Sequence, residues 1–262
     1  MHVPGAPLVM PNPWDVGSSL LLAGLGFKAL ATTSAGLAFS AGRRDGAIST
    51  EESIAHGGEL ARVTGLPVNG DLENGFGDAP EDAARTMTAA AAAGLAGASL
   101  EDFSGRADAP IYDLTLATER IAAAAEARDA LDGDIVLTAR AEGLLHGRPD
   151  LDDIIRRLSA FEAAGADVLY APALPTLAAM RTVCDSVSRP VNVVMGMAGR
   201  TWPAAALAET GVARISIGSA LARAVYGLTL RAGREMLEQG SFDFTADAAG
   251  FADLAPFFSA DD

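Results

Sequence analysis

The chain of 262 residues contains very little cysteine and lysine. Cys184 is the only cysteine, which excludes an internal disulfide and a cysteine-based metal cluster. Its position near the predicted end of a helix favours a packed thiol over a nucleophile. Lys28 is the only lysine, and it lies near the start of a predicted strand, away from the edge where acidic residues gather. Schiff-base chemistry is therefore not expected.

Three further absences limit where the protein acts. No run of about 18 uncharged apolar residues occurs, so no membrane span is predicted. The first residues lack the basic segment and apolar block of a secretory signal. Basic residues are few: the chain has 19 Lys and Arg against 34 Asp and Glu, and its net charge is −15. This charge argues against binding to nucleic acid or to an anionic membrane. We expect a soluble cytoplasmic protein.

What the chain does contain is a regular alternation of short apolar stretches and amphipathic ones. The predicted strands are 8–10, 29–33, 68–71, 98–102, 135–140, 167–170, 191–194 and 213–217. The predicted helices are 16–24, 50–64, 80–93, 115–130, 151–164, 176–186, 203–210 and 219–239. About eight such units in roughly 230 residues predict an α/β fold, a closed (β/α)8 barrel rather than an open doubly wound sheet.

The chain is expected to divide at about residue 240. Residues 1–240 are predicted to form the barrel with its terminal helix. Residues 241–262 form a Phe-rich tail, which we expect to pack on the barrel or on another subunit.

Two neighbouring strand ends are rich in carboxylates. Asp71 and Glu73 follow the third strand within a Gly-rich turn, and Glu101 and Asp102 end the fourth. A right-handed crossover makes these strands parallel neighbours, so the carboxylates converge at one edge of the sheet, where hard oxygen ligands suit Mg²⁺ or Mn²⁺. Asp102 is expected to orient a neighbour or a metal-bound water. The simpler alternative is an acidic turn that caps the next helix.

Other strand ends supply groups that bind anions. The small residues Thr33, Ser34 and Ala35 allow backbone N–H groups to approach an anionic oxygen, and two of them add hydroxyl donors. Arg140 is suited to clamp a carboxylate or phosphonate with two parallel hydrogen bonds. Alternatively it pairs with Glu101 or Glu142, and both roles are compatible. Asn192 contributes an amide at the seventh strand.

Two loop residues complete the candidate site. Asp45 lies in a Gly-flanked loop after the second strand that could close over the mouth of the barrel, although such a loop is also an ordinary surface feature. His146 follows the fifth strand and is a candidate proton donor, although an exposed loop histidine is the commoner case. His56 lies inside a predicted helix and is expected to be structural.

These residues together resemble the isocitrate lyase and phosphoenolpyruvate mutase superfamily. The segments that carry the resemblance are KALATTSAG at 28–36, GDLENGFG at 70–77, LED at 100–102 and TAR at 138–140. The resemblance implies a (β/α)8 barrel with Mg²⁺ held largely through waters by Asp71, Glu73 and Glu101. It also implies a 2-oxo acid or its enolate on the metal. Finally, it assigns the roles of the remaining residues: Thr33, Ser34 and Ala35 at the substrate carboxylate, Arg140 at the enolate oxygen and Asp45 on a gating loop.

The loop after the fourth strand departs from the family. Lyases of the superfamily carry a Lys-Lys-Cys-Gly-His or Lys-Arg-Cys-Gly-His motif there, and its mutases and phosphonopyruvate hydrolases a Lys-Thr-Asn type loop. This chain has FSGRADAP at 103–110. The shared half-reaction remains, in which a pyruvate-like enolate is stabilised while a bond to its third carbon breaks.

Several alternatives therefore stay open. We favour C–C lysis of a small oxo- or hydroxy-dicarboxylate, by decarboxylation or retro-aldol cleavage. The rivals are a C–P bond enzyme and a non-catalytic barrel that binds a metal and an oxo acid. Because relatives exchange their final helix between barrels, we also expect a homo-oligomer, a dimer or tetramer.

Overall fold

The chain folds as a ring of eight short strands, each followed by at least one helix. The computed structural model describes residues 1–197 and 201–258. The strands are β1 (Leu8–Met10), β2 (Leu30–Ala31), β3 (Val68–Asp71), β4 (Gly97–Glu101), β5 (Val136–Arg140), β6 (Val168–Tyr170), β7 (Val191–Val194) and β8 (Arg214–Ser216). The main helices are α1 (Val16–Gly24), α2 (Ser34–Ser40), α3 (Thr50–Thr64), α4 (Pro80–Ala92), α5 (Leu114–Asp129), α6 (Leu151–Ala163), α7 (Leu177–Ser186), α8 (Ala204–Ala208) and α9 (Ala220–Glu238).

All the strand pairs are parallel, and their order is β1-β8-β7-β6-β5-β4-β3-β2. The ring closes just beyond the ends of β1 and β2. There the Ala31 N–H donates to the Pro11 carbonyl at 3.0 Å, and Asn12 Nδ2 donates to the Thr32 carbonyl at 2.7 Å. The predicted (β/α)8 barrel is confirmed.

Helix boundaries follow local chemical signals. At the start of α3, Ser49 Oγ accepts from the Glu52 N–H while Glu52 Oε2 accepts from the Ser49 N–H, a reciprocal capping box. The same helix ends at Gly65, whose φ of +63° is the left-handed conformation that glycine adopts without strain. The predicted elements agree with the observed ones to within about two residues at each end.

One of these main helices, α2, was not predicted. The second strand is shorter than expected, and Thr33 caps α2 by accepting from the Gly36 N–H at 3.3 Å. The small residues at 34–36 are thus the first turn of a helix rather than an extended strand end. Tertiary packing explains the helix, because Gly36 lies so close to Trp14 that a Cβ would clash there, and it also packs against Ala222.

Strand residues alternate between two environments. In β5 and β8, Leu137 and Ile215 belong to the apolar core between sheet and helices. In the same strands Arg140, Arg214 and Ser216 instead line a cavity inside the barrel. The period of two residues therefore separates an apolar outer layer from a polar interior.

The C-terminal part makes few contacts with the barrel. In α9 only Ala222 and Ala232 are buried, and Leu228, Leu230 and Leu237 are exposed. Beyond it, Phe257 lies against Gly24 of α1, where a Cβ would clash. The division at residue 240 stays a prediction, and the tail's last residues, 259–262, lie outside the described part. No described helix is long and apolar enough to cross a membrane.

Candidate active site

A cavity of about 370 Å³ opens at the carboxyl ends of the strands. It brings together every residue that the sequence proposed for the site. These residues are Thr33, Ser34, Ala35, Asp45, Asp71, Glu73, Glu101, Arg140 and Asn192. Their individual roles stay predictions.

Arg140 lies at the centre of the carboxylates. Its Nη1 contacts Asp71 Oδ1 at 2.6 Å, and its Nη2 contacts Glu101 Oε2 at 3.1 Å. Its Nε and Nη2 both reach Glu142 Oε1, at 2.9 and 2.7 Å. The guanidinium carbon also lies 4.9 Å from the centre of the Tyr170 ring. The guanidinium is therefore held in one orientation from four sides.

Asp71 is fixed by the segment that follows β2. Its backbone N–H donates to Thr32 Oγ1 at 2.7 Å. Its Oδ2 accepts from both the N–H and the hydroxyl of Ser34, each at 3.0 Å. The first turn of α2 and the end of β3 thus form one hydrogen-bonded unit beside the cavity.

Glu73 is strained and incompletely paired. Its φ of +47° places a non-glycine residue in the left-handed region, which carries a conformational cost. Its Oε1 is buried without a hydrogen-bond partner. Burial, followed by the charges of Asp71 and Asp45, raises the pKa of Glu73 to about 7. A buried, unpaired carboxylate oxygen at a strained residue is a feature of a ligand site.

Glu101 and Asp102 differ in role although they are adjacent. Burial raises the pKa of Glu101 well above its usual range; Arg140 opposes that shift, and Glu142 and Asp71 add to it. Asp102 lies behind the cavity, where it accepts from the Glu142 N–H at 2.7 Å and from Arg157 Nη1 at 3.1 Å. Asp102 thus positions Glu142, which in turn holds Arg140.

Asp45 lies at the exposed rim of the cavity, in the loop between α2 and α3. Desolvation at the rim raises the pKa of Asp45, and the charge of Asp71 adds to this effect. Asp45 and Asp71 both raise the pKa of Glu73, so the three carboxylates lie close enough to repel one another.

The loop after β4 folds back on itself. Phe103 pairs with Ile111, and Ser104 donates to the carbonyls of Pro110 and Ala109. At its tip, Arg106 forms an ion pair with Asp78 on the outside of the cavity.

His146 lies where this loop and β5 meet. Its ring stacks on Phe103 with centroids 3.8 Å apart and an interplanar angle of 7°. Its Nε2 lies 3.9 Å from Glu142 Oε2. Burial lowers the pKa of His146, an effect that Glu142 opposes. The sequence-based expectation that His146 lies near the mouth agrees with this position, because both His146 and Phe103 line the cavity.

The charge of the cavity is strongly unbalanced. The carboxylates that line it outnumber the guanidinium groups by five to two. Within the described residues, no three Asp, Glu, His or Cys side chains are arranged as a ready metal-ligand set, because Arg140 occupies the space among the carboxylates. The donor set nevertheless fits a divalent cation that keeps several waters, and the unpaired oxygen of Glu73 offers one direct ligand.

Some cavity residues were missed from sequence. Tyr170, Ser216 and Arg214 line the interior but lie within strands. Conversely, Cys184 lies on α7, and burial raises the pKa of its thiol to about 11. Lys28 is exposed and does not line the cavity.

The site is a cluster of acidic residues around Arg140 at the carboxyl edge of an all-parallel (β/α)8 barrel, the arrangement that the resemblance to the isocitrate lyase and phosphoenolpyruvate mutase superfamily implies. The sequence model of the phosphoenolpyruvate phosphomutase family matches residues 1–237. The chain belongs to this family, which confirms the superfamily predicted from sequence.

Named relatives are lyases and mutases, as expected for an enzyme. A Burkholderia cenocepacia J2315 structure, provisionally described as a lyase/mutase, is 50% identical with a TM-score of 0.96 and covers 100% of this chain and 94% of that chain. A structure provisionally described as a phosphonomutase from the same organism is 34% identical with a TM-score of 0.79, covering 92% and 95%. The 2-methylisocitrate lyase of Escherichia coli K12 is 31% identical over 211 residues, covering 73% of this chain and 69% of the lyase.

Proposed function

We propose that this protein is a Mg²⁺-dependent lyase, with Mn²⁺ as the alternative ion, that cleaves a C–C bond of a small 2-oxo or hydroxy di- or tricarboxylate through a pyruvate-like enolate. Oxaloacetate-type decarboxylation and methylisocitrate-type retro-aldol cleavage both fit this description. The observation that carries the proposal is the excess of carboxylates around Arg140. An anionic substrate is repelled by such a cavity unless a cation offsets the charge.

The metal is assigned to Asp71, Glu73 and Glu101. All three side chains line the cavity: Asp71 and Glu101 end β3 and β4, and Glu73 lies two residues after β3. When bound, the ion would act as a Lewis acid toward the oxygens of the substrate. Glu73 gains the most from it, because its buried oxygen has no other partner.

Arg140 is assigned to the enolate oxygen. Its guanidinium is oriented before the substrate arrives by Asp71, Glu101 and Glu142. A donor fixed in this way stabilises developing negative charge without reorganising during the reaction. Glu101 contributes to catalysis by holding both this guanidinium and the metal.

The substrate carboxylate is assigned to Thr33, Ser34, Ala35 and Asn192. These residues supply hydroxyl, N–H and amide donors to the cavity. Ser34 now donates to Asp71, and Asn192 Nδ2 donates to Ser216 Oγ at 3.1 Å. Both therefore already present polar hydrogens to the interior.

The proton step is assigned to groups at the mouth. His146 replaces the family's cysteine as the proton donor to the third carbon of the enolate, since it lines the cavity and is oriented by Phe103 and Glu142. Asp45 is assigned to the gating loop, whose exposure leaves it free to close over the mouth.

A second candidate is C–P bond chemistry. The phosphonomutase-like relative and the name of the matched family support it. Against it, the loop that starts at Phe103 contains no lysine or asparagine and is tied by Arg106 to Asp78 outside the cavity. A barrel that binds metal and oxo acid without turnover is the remaining alternative.

We also propose a homo-oligomer, a dimer or tetramer, in which α9 packs against a partner. The support is the exposed apolar surface of α9, where Leu230 is 61% and Leu237 is 89% exposed. A helix that buries only two alanines on its own chain gains its stability elsewhere.

The test is a substrate screen with Mg²⁺. Oxaloacetate, its 3-substituted analogues, 2-methylisocitrate and phosphonopyruvate are supplied, and pyruvate release is measured. Turnover of a carbon substrate together with competitive inhibition by oxalate, which resembles the pyruvate enolate, supports the lyase. Turnover of phosphonopyruvate alone supports C–P chemistry, and oxalate binding without any turnover supports the non-catalytic barrel.

A further inference from the structure

A buried guanidinium without an anionic partner lies inside the barrel. Arg214, the first residue of β8, is 3% exposed. Its Nε donates to Asn192 Oδ1 at 2.8 Å, and its Nη2 donates to Thr138 Oγ1 at 3.1 Å. Both acceptors are neutral, and no ion pair in the described part of the chain includes Arg214. A buried charge without a counter-charge is destabilising, so its presence calls for a functional reason.

Arg157 shows what a structural arginine looks like in this protein. It is 4% exposed, almost as buried as Arg214. Its guanidinium pairs with Asp102 at 3.1 Å and with Asp153 at 2.9 Å. Arg214 has the same burial but lacks such partners.

The nearest titratable groups do not neutralise Arg214. Burial lowers the pKa of Arg214 to about 10, and Arg140 adds to that effect by repulsion. Tyr170 is the one group that favours the charged form. Burial raises the pKa of Tyr170 above its usual range, so its hydroxyl is uncharged near pH 7. Burial and then the charge of Arg214 lower the pKa of His2 to about 4, so its imidazole is neutral too.

Arg214 is reachable from the mouth. It lines the same cavity as Arg140, together with the polar side chains of Asn192 and Ser216. In the ring of strands β8 lies opposite β4, which carries Glu101. A substrate held against the wall of β3 and β4 therefore extends its far end toward β8.

We propose that Arg214 forms an anion subsite on the cavity floor that binds the distal carboxylate of the substrate, the one remote from the 2-oxo or 2-hydroxy carbon. This inference rests on the proposed function, which supplies an anionic substrate bound at the opposite wall. The carboxylate provides the missing counter-charge, and a guanidinium recognises it with parallel hydrogen bonds.

The subsite favours one of the two proposed cleavages. A carboxylate paired with a guanidinium is stabilised as an anion, which disfavours its departure as CO₂. A retro-aldol cleavage of a 2-hydroxy acid breaks the bond between the second and third carbons: the hydroxyl loses its proton and becomes the 2-oxo group, and the electron pair passes to the third carbon, which takes up a proton. The distal carboxylate therefore remains on the second product. The substrate class is therefore a hydroxy di- or tricarboxylate rather than an oxo acid that loses its distal carboxylate.

Malate and lactate provide the test, because they differ only by the distal carboxylate. Binding of each is measured by calorimetry with Mg²⁺, to the wild-type protein, Arg214→Met and Arg214→Lys, and oxalate serves as the ligand of the enolate end alone. We expect the wild type to bind malate at least tenfold more tightly than lactate. Arg214→Met should lose this preference and still bind oxalate, and Arg214→Lys should restore part of it.

Thermal unfolding separates binding from a structural role. Arg157→Met leaves the buried carboxylate of Asp102 without a counter-charge and should lower Tm clearly. Arg214→Met removes an uncompensated charge, so its Tm should stay close to the wild-type value or rise. If Arg214→Met lowers Tm as much as Arg157→Met does, Arg214 is a structural residue.

The remaining outcomes also decide. Equal binding of malate and lactate by the wild type refutes the subsite without any variant. Another outcome is that inorganic phosphate or chloride raises the Tm of the wild type and not that of Arg214→Met, while malate binds no more tightly than lactate. In that case the cavity floor binds a free anion and not the substrate. If the wild type does not bind oxalate in the presence of Mg²⁺, the proposed function itself is refuted. Failure of the subsite and failure of the proposed function are therefore distinguishable.

Discussion

Arg140→Lys is the substitution that most directly tests the proposed chemistry. It keeps the positive charge among the carboxylates but removes the planar fork. Arg140 uses Nη1 for Asp71, Nη2 for Glu101, and both Nε and Nη2 for Glu142. An ammonium group has only three donors, so three carboxylates and the enolate oxygen compete for them.

The expected loss in turnover follows from this competition. Removing one fixed donor to an oxyanion typically lowers kcat by about 10²–10³, or about 2.7–4 kcal/mol. Stability should fall less, because the retained charge leaves no carboxylate unpaired. A loss of about 1–2 kcal/mol corresponds to a decrease of roughly 2–8 °C in Tm for a domain of this size.

The assay is steady-state turnover of the best substrate from the screen, with Tm measured in parallel. Arg148→Lys, an exposed residue in the loop after β5, is the matched control and should change neither value. A kcat within about threefold of the wild type would show that Arg140 is structural. A large decrease in Tm without a specific loss of kcat would also indicate that Arg140 has a structural role.

Three more predictions concern the metal, the pH dependence of stability and the helix α9. Chelation with excess EDTA should abolish turnover, and Mg²⁺ or Mn²⁺ should restore it; full activity in chelator contradicts the metal assignment. Burial and Arg214 lower the pKa of His2 to about 4 in the folded state. Between about pH 6.5 and pH 4 the folded state therefore binds fewer protons than the unfolded chain. The contribution of His2 to the free energy of unfolding should be constant above pH 6.5 and decrease as the pH is lowered from 6.5 to 4. His2→Gln should flatten this decline in Tm, and an unchanged pH profile would refute it. Light scattering at micromolar concentration should give at least a dimer, which removal of residues 219–262 abolishes and removal of 241–262 leaves intact; a clean monomer mass for the whole chain contradicts the packing proposed for α9.

Much of the fold was readable because its signals are local. The third and fifth strands end in polar residues, and Pro80 and Gly65 mark helix ends directly. The helix α2 escaped because it is short and its apolar residues show no clear period. It forms through packing of Gly36 against Trp14 and Ala222, contacts that are remote in sequence.

The mouth of the site was predictable for a similar reason. In parallel barrels the residues after each strand converge, so Asp71, Glu101 and Arg140 could be placed together before any coordinates. Which carboxylate pairs with which nitrogen of Arg140 could not be predicted, because several hydrogen-bond patterns satisfy the same residues. The stacking of His146 on Phe103 was equally hidden, since it joins two loops whose conformations are set by their own turns.

The residues at the floor of the cavity were not predicted from the sequence, for a different physical reason. A search of strand ends finds groups whose backbone reaches the mouth, but Arg214 begins its strand and reaches the cavity through the length of its side chain. Its signal in the sequence is the inward position: Arg214 and Ser216 face the interior while Ile215 packs outward. Register reinforces this, because Arg214 lies beside Asn192 of β7, which accepts its hydrogen bond. A charged residue at an inward position of a barrel strand, even at the start, is therefore a candidate for ligand binding, since the interior offers it no solvent and, here, no counter-ion among the described residues.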